Sequence, residues 1–534
     1  MVFESFLRIE KPFGLEKAFD LPMLLIAYSE QLATIIVYYQ GKNQVKDYPA
    51  TLGALKRAGY RSKLVKDEMR DNLLARIRGG GPLMPGVVGY DETVLKQLTH
   101  ALLAKHDILL LGLRGQGKTR ILRRLSEFLD ERIPIVSGSE MNDDPFAPHS
   151  RFARELIAEQ GEDTPITWIG REDRYGEKLA TPDVSMADLI GDIDPVKAFH
   201  QKLGYGHEGA IQFGIIPRTN RGIFVINELP DLQARIQVGL LNIMEERDVQ
   251  IRSFRVRIPL DLMMAFSANP EDYTNRGNII TPLKDRIDSQ IITHYPKNAI
   301  MAMEITRQEA WVGRGASIKP VISEPMRLIV EHIAFEARED KDFVDQKSGV
   351  SARLPIAAME LLVSAVELRG ALTGETSPLA RLSDLETVIP AITGKLELVY
   401  AGEQEGPANI ARAMVAKATK KVFHQYFQDP YNKREKTPEE NPYYPVVSWF
   451  EKGNSLTLGD RMSNSEYQKM LESVPDIRKV MKKVGLPNVM FDKQQEALYL
   501  ELLLEGLHLH SRLSKENLTE GFVYRDMMSD ILKQ

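Results

Sequence analysis

The feature that most constrains this chain is a glycine-rich stretch between an apolar run and a helix-forming segment. The stretch reads Gly112-Leu113-Arg114-Gly115-Gln116-Gly117-Lys118-Thr119, and it follows the apolar run Ile108-Leu109-Leu110-Leu111. Arg120 opens the next segment, in which apolar residues recur at helical spacing. A strand, a glycine-rich turn and a helix in this order form a cradle of backbone amides for phosphate. The alternative interpretation is a glycine turn before an ordinary helix.

Each residue type in this stretch suits the binding of a nucleoside triphosphate. The glycines let backbone amides curl around an anion without an intervening Cβ, and the helix N-terminus adds a partial positive charge. Lys118 would neutralise the β- and γ-phosphates, and the Thr119 hydroxyl would bind Mg²⁺. The sequence therefore predicts ATP and Mg²⁺ as cofactors.

A small apolar turn, Val87-Val88-Gly89, lies one helix upstream of this loop. It could form a floor under an adenine ring. The residues predicted to bind the nucleotide are Val87, Val88, Gly89, Gly112, Arg114, Gly115, Gln116, Gly117, Lys118, Thr119 and Arg120.

The second candidate site is an apolar run that is followed directly by an amide and an acidic side chain. The run Gly222-Ile223-Phe224-Val225-Ile226 leads into Asn227 and Glu228, which is typical of a buried parallel strand whose carboxyl end reaches the ligand crevice. Glu228 could polarise the water that attacks the γ-phosphate. The preceding position normally holds an Asp that binds Mg²⁺. Asn227 offers an acceptor oxygen without the charge, and we assign it to the metal site with Thr119. The alternative is a buried strand with a polar cap.

Three further residues are predicted to complete the catalytic set with Glu228. Asn269 follows the apolar strand Leu262–Ala268 and could orient the attacking water. Arg286 precedes a later apolar run, where it could reach the nucleotide of a neighbouring subunit and stabilise transition-state charge. Considered alone, Arg286 would be a surface arginine. Arg353 opens a helix and could fold back on the γ-phosphate.

Length and composition limit the classes of protein that this chain could belong to. A chain of 534 residues is too long to fold around a single hydrophobic core, which predicts roughly three or four domains. Cysteine is absent, so disulfides, thiolate metal sites and cysteine nucleophiles are excluded. This fits a cytoplasmic location. The formal net charge of -5 indicates no general affinity for nucleic acid or membrane.

The pattern along the chain predicts an α/β domain followed by helical regions. An apolar segment at 21–39 carries Ser29, Glu30 and Gln31 at its centre, so we interpret it as a buried or partner-facing helix rather than a membrane span. The predicted parts are an N-terminal appendage at 1–50, a nucleotide-binding α/β domain with hairpin inserts at 51–296, a helical lid at 297–427, a linker at 428–445 and a helical C-terminal region at 446–534.

One predicted hairpin, Val249–Ile258, carries the basic residues Arg252, Arg255 and Arg257. These side chains could contact a threaded substrate or a partner. They could equally be solvated charges that protect a sheet edge from aggregation.

Taken together, residues of about 85–370 resemble AAA+ ATPases, and among them the clade of MoxR and the magnesium-chelatase ATPase subunit (subunit I). The resemblance implies a P-loop AAA+ parallel sheet with helices on both faces, followed by a helical lid and a helical C-terminal region. It also implies that Asn269 is sensor 1, Arg286 the arginine finger and Arg353 sensor 2. The resemblance is carried by Val87-Val88-Gly89, the phosphate loop, Gly191-Asp192-Ile193-Asp194, Thr219-Asn220-Arg221-Gly222-Ile223, Ser267-Ala268-Asn269-Pro270-Glu271, Leu283-Lys284-Asp285-Arg286 and Ser351-Ala352-Arg353.

This resemblance implies a hexameric ring with ATP at the subunit interfaces. Hydrolysis would drive remodelling of a client, usually with a partner that carries a von Willebrand factor A domain. In the chelatase branch the client reaction is insertion of Mg²⁺ into protoporphyrin. In the MoxR branch it is maturation of enzymes, sometimes by insertion of a metal or cofactor.

This chain departs from the family pattern at three places, which leaves alternative functions open. Asn227 replaces the Asp, the excursion 137–180 is longer than the chelatase subunit needs, and the two terminal regions have no recognised counterpart. The first alternative is a nucleotide-gated scaffold with little turnover because of Asn227. The second is a nucleic-acid motor or transcriptional activator. It is disfavoured because the sequence has no recognition helix, zinc module or Gly-Ala-Phe-Thr-Gly-Ala loop.

Overall fold

The computed structural model describes residues 48–200, 208–251, 257–270, 278–315, 317–431, 438–487, 489–518 and 520–527. Several sequence predictions therefore concern residues outside the described ones. These are most of the N-terminal appendage with its apolar segment, the tips of both hairpin inserts with Arg252 and Arg255, Glu271, the middle of the linker, and the last residues of the C-terminal region. Within the described ranges, no helix is both long and apolar enough to cross a membrane.

The strands fall into one large sheet and several small ones. In chain order they are β1 (Ile108–Leu111), β2 (Arg132–Val136), β3 (Ile166–Gly170), β4 (Tyr175–Leu179), β5 (Gly191–Ile193), β6 (Ile211–Phe213), β7 (Gly222–Asn227), β8 (Asp248–Gln250), β9 (Arg257–Pro259), β10 (Leu262–Ala268), β11 (Ser289–Ile292), β12 (Leu456–Leu458), β13 (Ser514–Leu518) and β14 (Gly521–Arg525).

The α-helices dominate the second half of the chain. In chain order they are α1 (Leu52–Arg57), α2 (Val65–Arg78), α3 (Val94–Leu103), α4 (Lys118–Arg124), α5 (Arg151–Gln160), α6 (Met186–Leu189), α7 (Pro195–His200), α8 (Ile215–Arg218), α9 (Ala234–Glu245), α10 (Thr281–Arg286), α11 (Ala299–Glu309), α12 (Glu324–Glu339), α13 (Arg353–Thr373), α14 (Ile389–Thr393), α15 (Tyr400–Glu405), α16 (Pro407–Tyr426), α17 (Tyr444–Glu451), α18 (Asn464–Glu472), α19 (Ile477–Val484) and α20 (Glu496–Leu509).

The large sheet has five parallel strands in the order β11-β1-β10-β7-β4. The inner strands β7 and β10 are buried along their whole length, as their apolar sequences predict for strands covered on both faces. β1 lies between β10 and β11, with Ile108 in register with Ala265 and Ser289. Because the strands are parallel, the polar residues that follow β1, β7 and β10 meet at one edge of the sheet.

Helices cover both faces of this sheet, because alternate residues of each strand point to opposite sides. Val225 and Ala265 face a hydrophobic cluster that includes residues of α2, α3 and α4. Phe224, Ile226 and Phe266 face a second cluster formed largely with α9 and the hairpin inserts. The predicted fold class, a P-loop parallel sheet with helices on both faces, is confirmed.

The fifth strand of the sheet was not identified in the sequence. β4 is an edge strand with mixed polar and apolar residues, and it pairs with β7 so that Glu177 lies opposite Val225. The strands β2 and β3 pair with each other in a separate antiparallel ribbon. The predicted hairpin inserts are described only in part, as the antiparallel pairs β5–β6 and β8–β9.

A buried ion pair joins helix α2 to the edge of the sheet. The guanidinium of Arg174 donates two hydrogen bonds of 2.7 Å to the carboxylate of Glu68. Its Nε donates to the carbonyl of Arg221 at 2.8 Å. Both side chains are almost completely buried. The pair therefore ties α2, β4 and the start of β7 together.

The lid and the C-terminal region share one hydrophobic core. The cluster runs from Ile322 to Tyr524 and contains Tyr443, the last residue before α17. The predicted boundaries of lid, linker and C-terminal region stay predictions, although the packing is continuous across them. Helices make up most of the C-terminal region. The structure adds a small antiparallel sheet, β12-β14-β13, which the sequence analysis did not predict.

Candidate active site

The glycine-rich loop curls around the carboxyl end of β1 and leads into α4. Gly115 and Gly117 have φ of 73° and 72°, a conformation that favours glycine. Helix α4 begins at Lys118 and continues as a 3₁₀ turn through Phe128. A Cβ on Gly112 would lie 2.0 Å from the Thr293 hydroxyl oxygen. The three glycines therefore occupy positions where a side chain would be strained or would clash. The binding of phosphate by this loop stays a prediction.

Two residues from outside the loop, Thr293 and Tyr90, hold it in place. The Thr293 hydroxyl, just after β11, donates to the Gln116 side-chain oxygen at 2.6 Å. The Tyr90 hydroxyl lies 2.8 Å from the Gln116 carbonyl oxygen and 2.6 Å from that of His294. Burial raises the pKa of Tyr90, so its phenol remains a hydrogen-bond donor over the physiological pH range.

Three polar side chains form a hydrogen-bonded line across the carboxyl edge of the sheet. The Nζ of Lys118 donates to Asn269 Oδ1 at 2.6 Å, and Asn269 Nδ2 donates to Glu228 Oε2 at 2.7 Å. Lys118 also contacts the carbonyls of Gly112 and Leu113. The line connects the ends of β1, β10 and β7, so three residues that are far apart in sequence meet at one place.

Asn227 lies beside this line and is buried. Its Nδ2 donates to Glu177 Oε1 at 2.7 Å, and its Oδ1 accepts from the Ser267 hydroxyl at 3.0 Å. The same hydroxyl accepts from the backbone N–H of Glu228 at 3.2 Å. Glu177 is also bound by two nitrogens of Arg123, at 2.8 Å and 3.1 Å. A continuous network therefore runs from α4 to the backbone of Glu228.

The lid closes against the phosphate loop from the other side. A Cβ on Gly115 would lie 2.1 Å from the Ser351 hydroxyl oxygen and 2.8 Å from the backbone nitrogen of Ala352. Arg114 donates to the carbonyl of Gly349 at 3.2 Å and pairs with Glu397. The segment that precedes α13 therefore touches the loop directly.

A cleft of about 830 Å³ lies between the loop, the turn before α3 and the lid, within the usual size range of small-molecule sites. Its polar lining includes the phosphate loop together with Glu228 and Arg353. The rest of its lining includes Val87, Val88, Gly89, Tyr90, Pro296, Ile305 and Ile356. Arg120, which pairs with Glu309, and Arg114 also line the cleft.

The structure brings together most residues of the predicted site, but Arg286 is elsewhere. Its guanidinium is bound by Glu245 of α9 and by the carbonyl of Pro282. Its side chain is about one-third exposed, and it does not line the cleft of its own chain. The roles assigned to the individual site residues stay predictions.

Sequence reasoning missed several residues that shape the site, namely Glu177, Arg123, Thr293 and Glu397. Thr293 had a detectable signal, since it directly follows an apolar run. Glu177 had a weaker one, because β4 is an edge strand without a continuous apolar sequence. Glu397 had none, because only the packing of the lid brings it to the loop.

The donors at this edge of the sheet fit Mg²⁺. They are all hard oxygens, from the Thr119 hydroxyl, the Asn227 amide and the carboxylates of Glu228 and Glu177. In the part of the chain that the structure describes, no group of three or more His, Cys, Asp or Glu side chains could hold a metal. Proteins commonly bind Mg²⁺ through one or two carboxylates together with substrate phosphates. The site therefore fits a Mg²⁺ ion that arrives with a nucleotide.

The parallel sheet, the glycine-rich loop after β1 and the helices that follow define an α/β P-loop fold. No protein-family model matches the sequence, and a comparison with curated proteins gives no match. Solved structures similar to this chain include NtrX from Brucella abortus, with 12% identity and a TM-score of 0.31 over 66% of this chain and 59% of that chain. The chain thus spans less than two thirds of NtrX.

In two other solved structures, the match to this chain covers almost the whole of the other chain. A protein from Cytophaga hutchinsonii described as an ATPase has 16% identity and a TM-score of 0.29, over 68% of this chain and 98% of that chain. The complex of the magnesium-chelatase subunits BchI and BchD has 21% identity and a TM-score of 0.30, over 60% of this chain and 97% of that chain. Likeness at this level says nothing about activity, which has to be inferred from the geometry of the site.

Proposed function

We propose that this protein is an AAA+ ATPase that binds ATP with Mg²⁺ in the cleft and hydrolyses it. The observation that carries the proposal is the line from Lys118 through Asn269 to Glu228. It joins a phosphate-binding lysine to a carboxylate at the ends of three adjacent strands. An ordinary glycine turn before a helix would not require Lys118, Asn269 and Glu228 to lie in contact.

Each residue of the line has a defined task in hydrolysis. Lys118 would exchange the carbonyls of its own loop for phosphate oxygens. Glu228 would accept a proton from the attacking water. Asn269 donates to the Glu228 carboxylate, so it holds the base in the orientation that faces the phosphates. Arg353, at the cleft side of α13, would contact the γ-phosphate from the lid.

The bound Mg²⁺ would neutralise charge on the β- and γ-phosphates. Thr119 and Asn227 are the residues of this chain that would hold the ion, with Thr119 at the first turn of α4. The turn Val87-Val88-Gly89, with Ile305 and Ile356, supplies apolar surface for the adenine ring.

The finer assignment extends the family resemblance. We propose a chelatase-like or MoxR-type ATPase that works as a hexameric ring and remodels or activates a partner, in metal or cofactor insertion. The partner would carry a von Willebrand factor A domain. The partly exposed position of Arg286, away from its own cleft, supports a role at a subunit interface.

The buried Asn227 favours a second candidate function, a nucleotide-gated scaffold with little turnover. An amide at this position offers no negative charge to the metal. The scaffold would bind ATP and assemble, but it would release phosphate slowly. The two functions differ in turnover and share nucleotide binding.

Substitution of the proposed base distinguishes these possibilities. Glu228→Gln should lower the steady-state rate of phosphate release by about 10²- to 10⁴-fold, because it removes the proton acceptor. Binding of ATP, measured by calorimetry with Mg²⁺, should be retained because the phosphate loop is unchanged.

The matched control is Glu155→Gln, which removes an exposed carboxylate paired with Arg151 on α5 and should leave turnover unchanged. Turnover that is unaffected by Glu228→Gln would exclude Glu228 as the base. Slow phosphate release from the unmodified protein, with ATP bound, would favour the scaffold. Absence of any heat of ATP binding would contradict both functions.

A further inference from the structure

The amide of Asn227 has a defined orientation, which follows from its neighbours. Glu177 is a carboxylate in hydrogen-bond contact with this amide, and an ionised carboxylate can only accept. The Asn227 nitrogen must therefore face Glu177, and the oxygen must face Ser267 at the tip of β10. The acceptor atom of Asn227 is thereby directed toward β10, the strand that Asn269 follows.

Glu177 lies on the side of the sheet that faces the phosphate-loop helix. On β4, Glu177 pairs with Val225 of β7, and Leu179, two residues further on, pairs with Asn227. Glu177 therefore points to the same side of the sheet as Val225 and Asn227. Its ion-pair partner Arg123 is one helical turn beyond Thr119 on α4, so Thr119 and Arg123 share a helix face. The carboxylate is therefore next to the residues that would hold the metal.

The charges of this cluster are unusual for a P-loop site. The position that normally carries an aspartate is neutral, while the adjacent strand supplies a carboxylate in direct contact with it. The Glu177 side chain is 21% exposed, whereas its partner Arg123 is 65% exposed and lies on the solvent side. An exposed arginine is screened by water and salt, and it neutralises a partner only weakly.

We propose that Glu177 carries the negative charge of the magnesium site in place of residue 227. Glu177 would also orient the Asn227 amide so that its Oδ1 could bind the metal or accept a hydrogen bond from water bound to the metal. Glu177 is a positioning residue in this scheme, because it acts through Asn227. The inference rests on the proposed function, since it assumes a nucleotide and its metal in the cleft.

The test measures metal affinity directly, with Mn²⁺ as the probe in the presence of ADP, by electron paramagnetic resonance of the full-length protein. Glu177→Gln keeps a hydrogen-bond acceptor for Asn227 and removes the charge. Changes in residues that act on a metal through its ligands typically cost 10- to 100-fold in affinity, so we expect Mn²⁺ binding to weaken by about that factor. Affinity for ADP without metal should not change.

A charge relocation provides the decisive variant. In Asn227→Asp combined with Glu177→Gln, the negative charge moves back to position 227, and the glutamine amide can donate to it. Mn²⁺ affinity should return close to that of the unmodified protein. Glu155→Gln serves as the control for loss of an arginine-paired carboxylate elsewhere, and thermal melting checks that every variant is folded.

The possible results separate this inference from the proposed function. If Glu177→Gln binds Mn²⁺ as tightly as Glu155→Gln does, Glu177 is only a surface ion pair and the inference is wrong. If Glu177→Gln weakens binding but the relocated charge does not restore it, Glu177 does not replace the charge of residue 227. If the unmodified protein binds no ADP, the proposed function fails, and this inference fails with it.

Discussion

Single residues of the phosphate loop are constrained twice, by backbone conformation and by the lid. Gly115 combines a φ of 73° with a close approach to Ser351 and Ala352. Any side chain there would be strained and would also push the lid away. The close packing of the lid against the loop at this position therefore requires glycine.

We predict that Gly115→Ala weakens ADP binding by about tenfold or more, because the added methyl group would overlap Ser351 and Ala352 and displace the loop and the lid that line the cleft. Calorimetry with Mg²⁺ and ADP measures the effect. Gly374→Ala is the matched control, since Gly374 has a φ of 74° with no atom within 4 Å of the added Cβ. It should lower stability slightly and leave ADP affinity unchanged. Equal affinity of the two variants would exclude this role of Gly115.

Glu228 is a further residue with an unusual backbone. Its φ is 54°, which is uncommon for a residue with a side chain and is frequent at functional sites. The conformation is held by the hydrogen bond from its N–H to Ser267. It turns the carboxylate toward Asn269, so the strain is linked to the position of the proposed base.

At the scale of elements, buried ion pairs connect the α2 helix to the sheet. Removing one member of a buried pair leaves an uncompensated charge and costs about 3–5 kcal/mol. We therefore predict that Glu68→Ala lowers the free energy of unfolding by about this amount, as measured by urea denaturation. Replacement of both members, Glu68→Leu with Arg174→Met, should be much less destabilising because no charge is left unpaired.

The control for this prediction is Asp71→Ala, also on α2. Asp71 pairs with Lys63, and both side chains are about half exposed. Its removal should change the free energy of unfolding by less than about 0.5 kcal/mol. Similar losses for Glu68→Ala and Asp71→Ala would contradict the importance of burial.

The α20 helix carries a buried acid against the lid. Glu501 accepts a hydrogen bond of 3.0 Å from the backbone of Leu382, and burial raises the pKa of Glu501 to about 7. The raised pKa means that the folded protein binds the proton more tightly than the unfolded chain does. The resulting stability is present below the unfolded pKa of about 4.5 and is lost as the pH rises through about 7.

We predict that Glu501→Gln removes this pH dependence, because glutamine keeps the acceptor for Leu382 and carries no charge. When the pH is raised from 4.5 to 8, the free energy of unfolding of the unmodified protein should fall by on the order of 3 kcal/mol relative to that of the variant. Urea denaturation at the two pH values measures the difference. The charged or titratable neighbours that remain in both proteins are Tyr467, Glu505 and Lys515. A difference that is the same at both pH values would refute the prediction.

At the scale of the whole molecule, the cleft of one chain contains the base but not Arg286. If the proposed ring forms, Arg286 of one subunit completes the site of the next. We predict that Arg286→Ala and Glu228→Gln subunits are each nearly inactive alone and regain phosphate release when mixed. Mixed interfaces would pair an intact arginine with an intact base. Absence of recovery at any ratio would exclude a finger acting between subunits.

The lid and C-terminal region pack around one continuous core, and the lid reaches the phosphate loop through Arg114, Ser351 and Glu397. The phosphate loop and the C-terminal region are therefore connected through the packing of the lid. If the proposed function holds, these contacts are the route by which a change at the loop would reach the C-terminal region.

The sequence by itself determined the local parts of this protein. The glycines, the apolar runs and their polar ends predict the phosphate loop, the inner strands and the positions of Asn269 and Glu228, because backbone conformation and burial act over a few neighbouring residues. Only the tertiary structure decided which edge strand lies beside β7 and which part of the lid meets the loop. The contacts concerned join Asn227 to Glu177 across 50 residues and Arg114 to Glu397 across 283 residues. Such contacts depend on sheet order and helix packing, which no local pattern encodes.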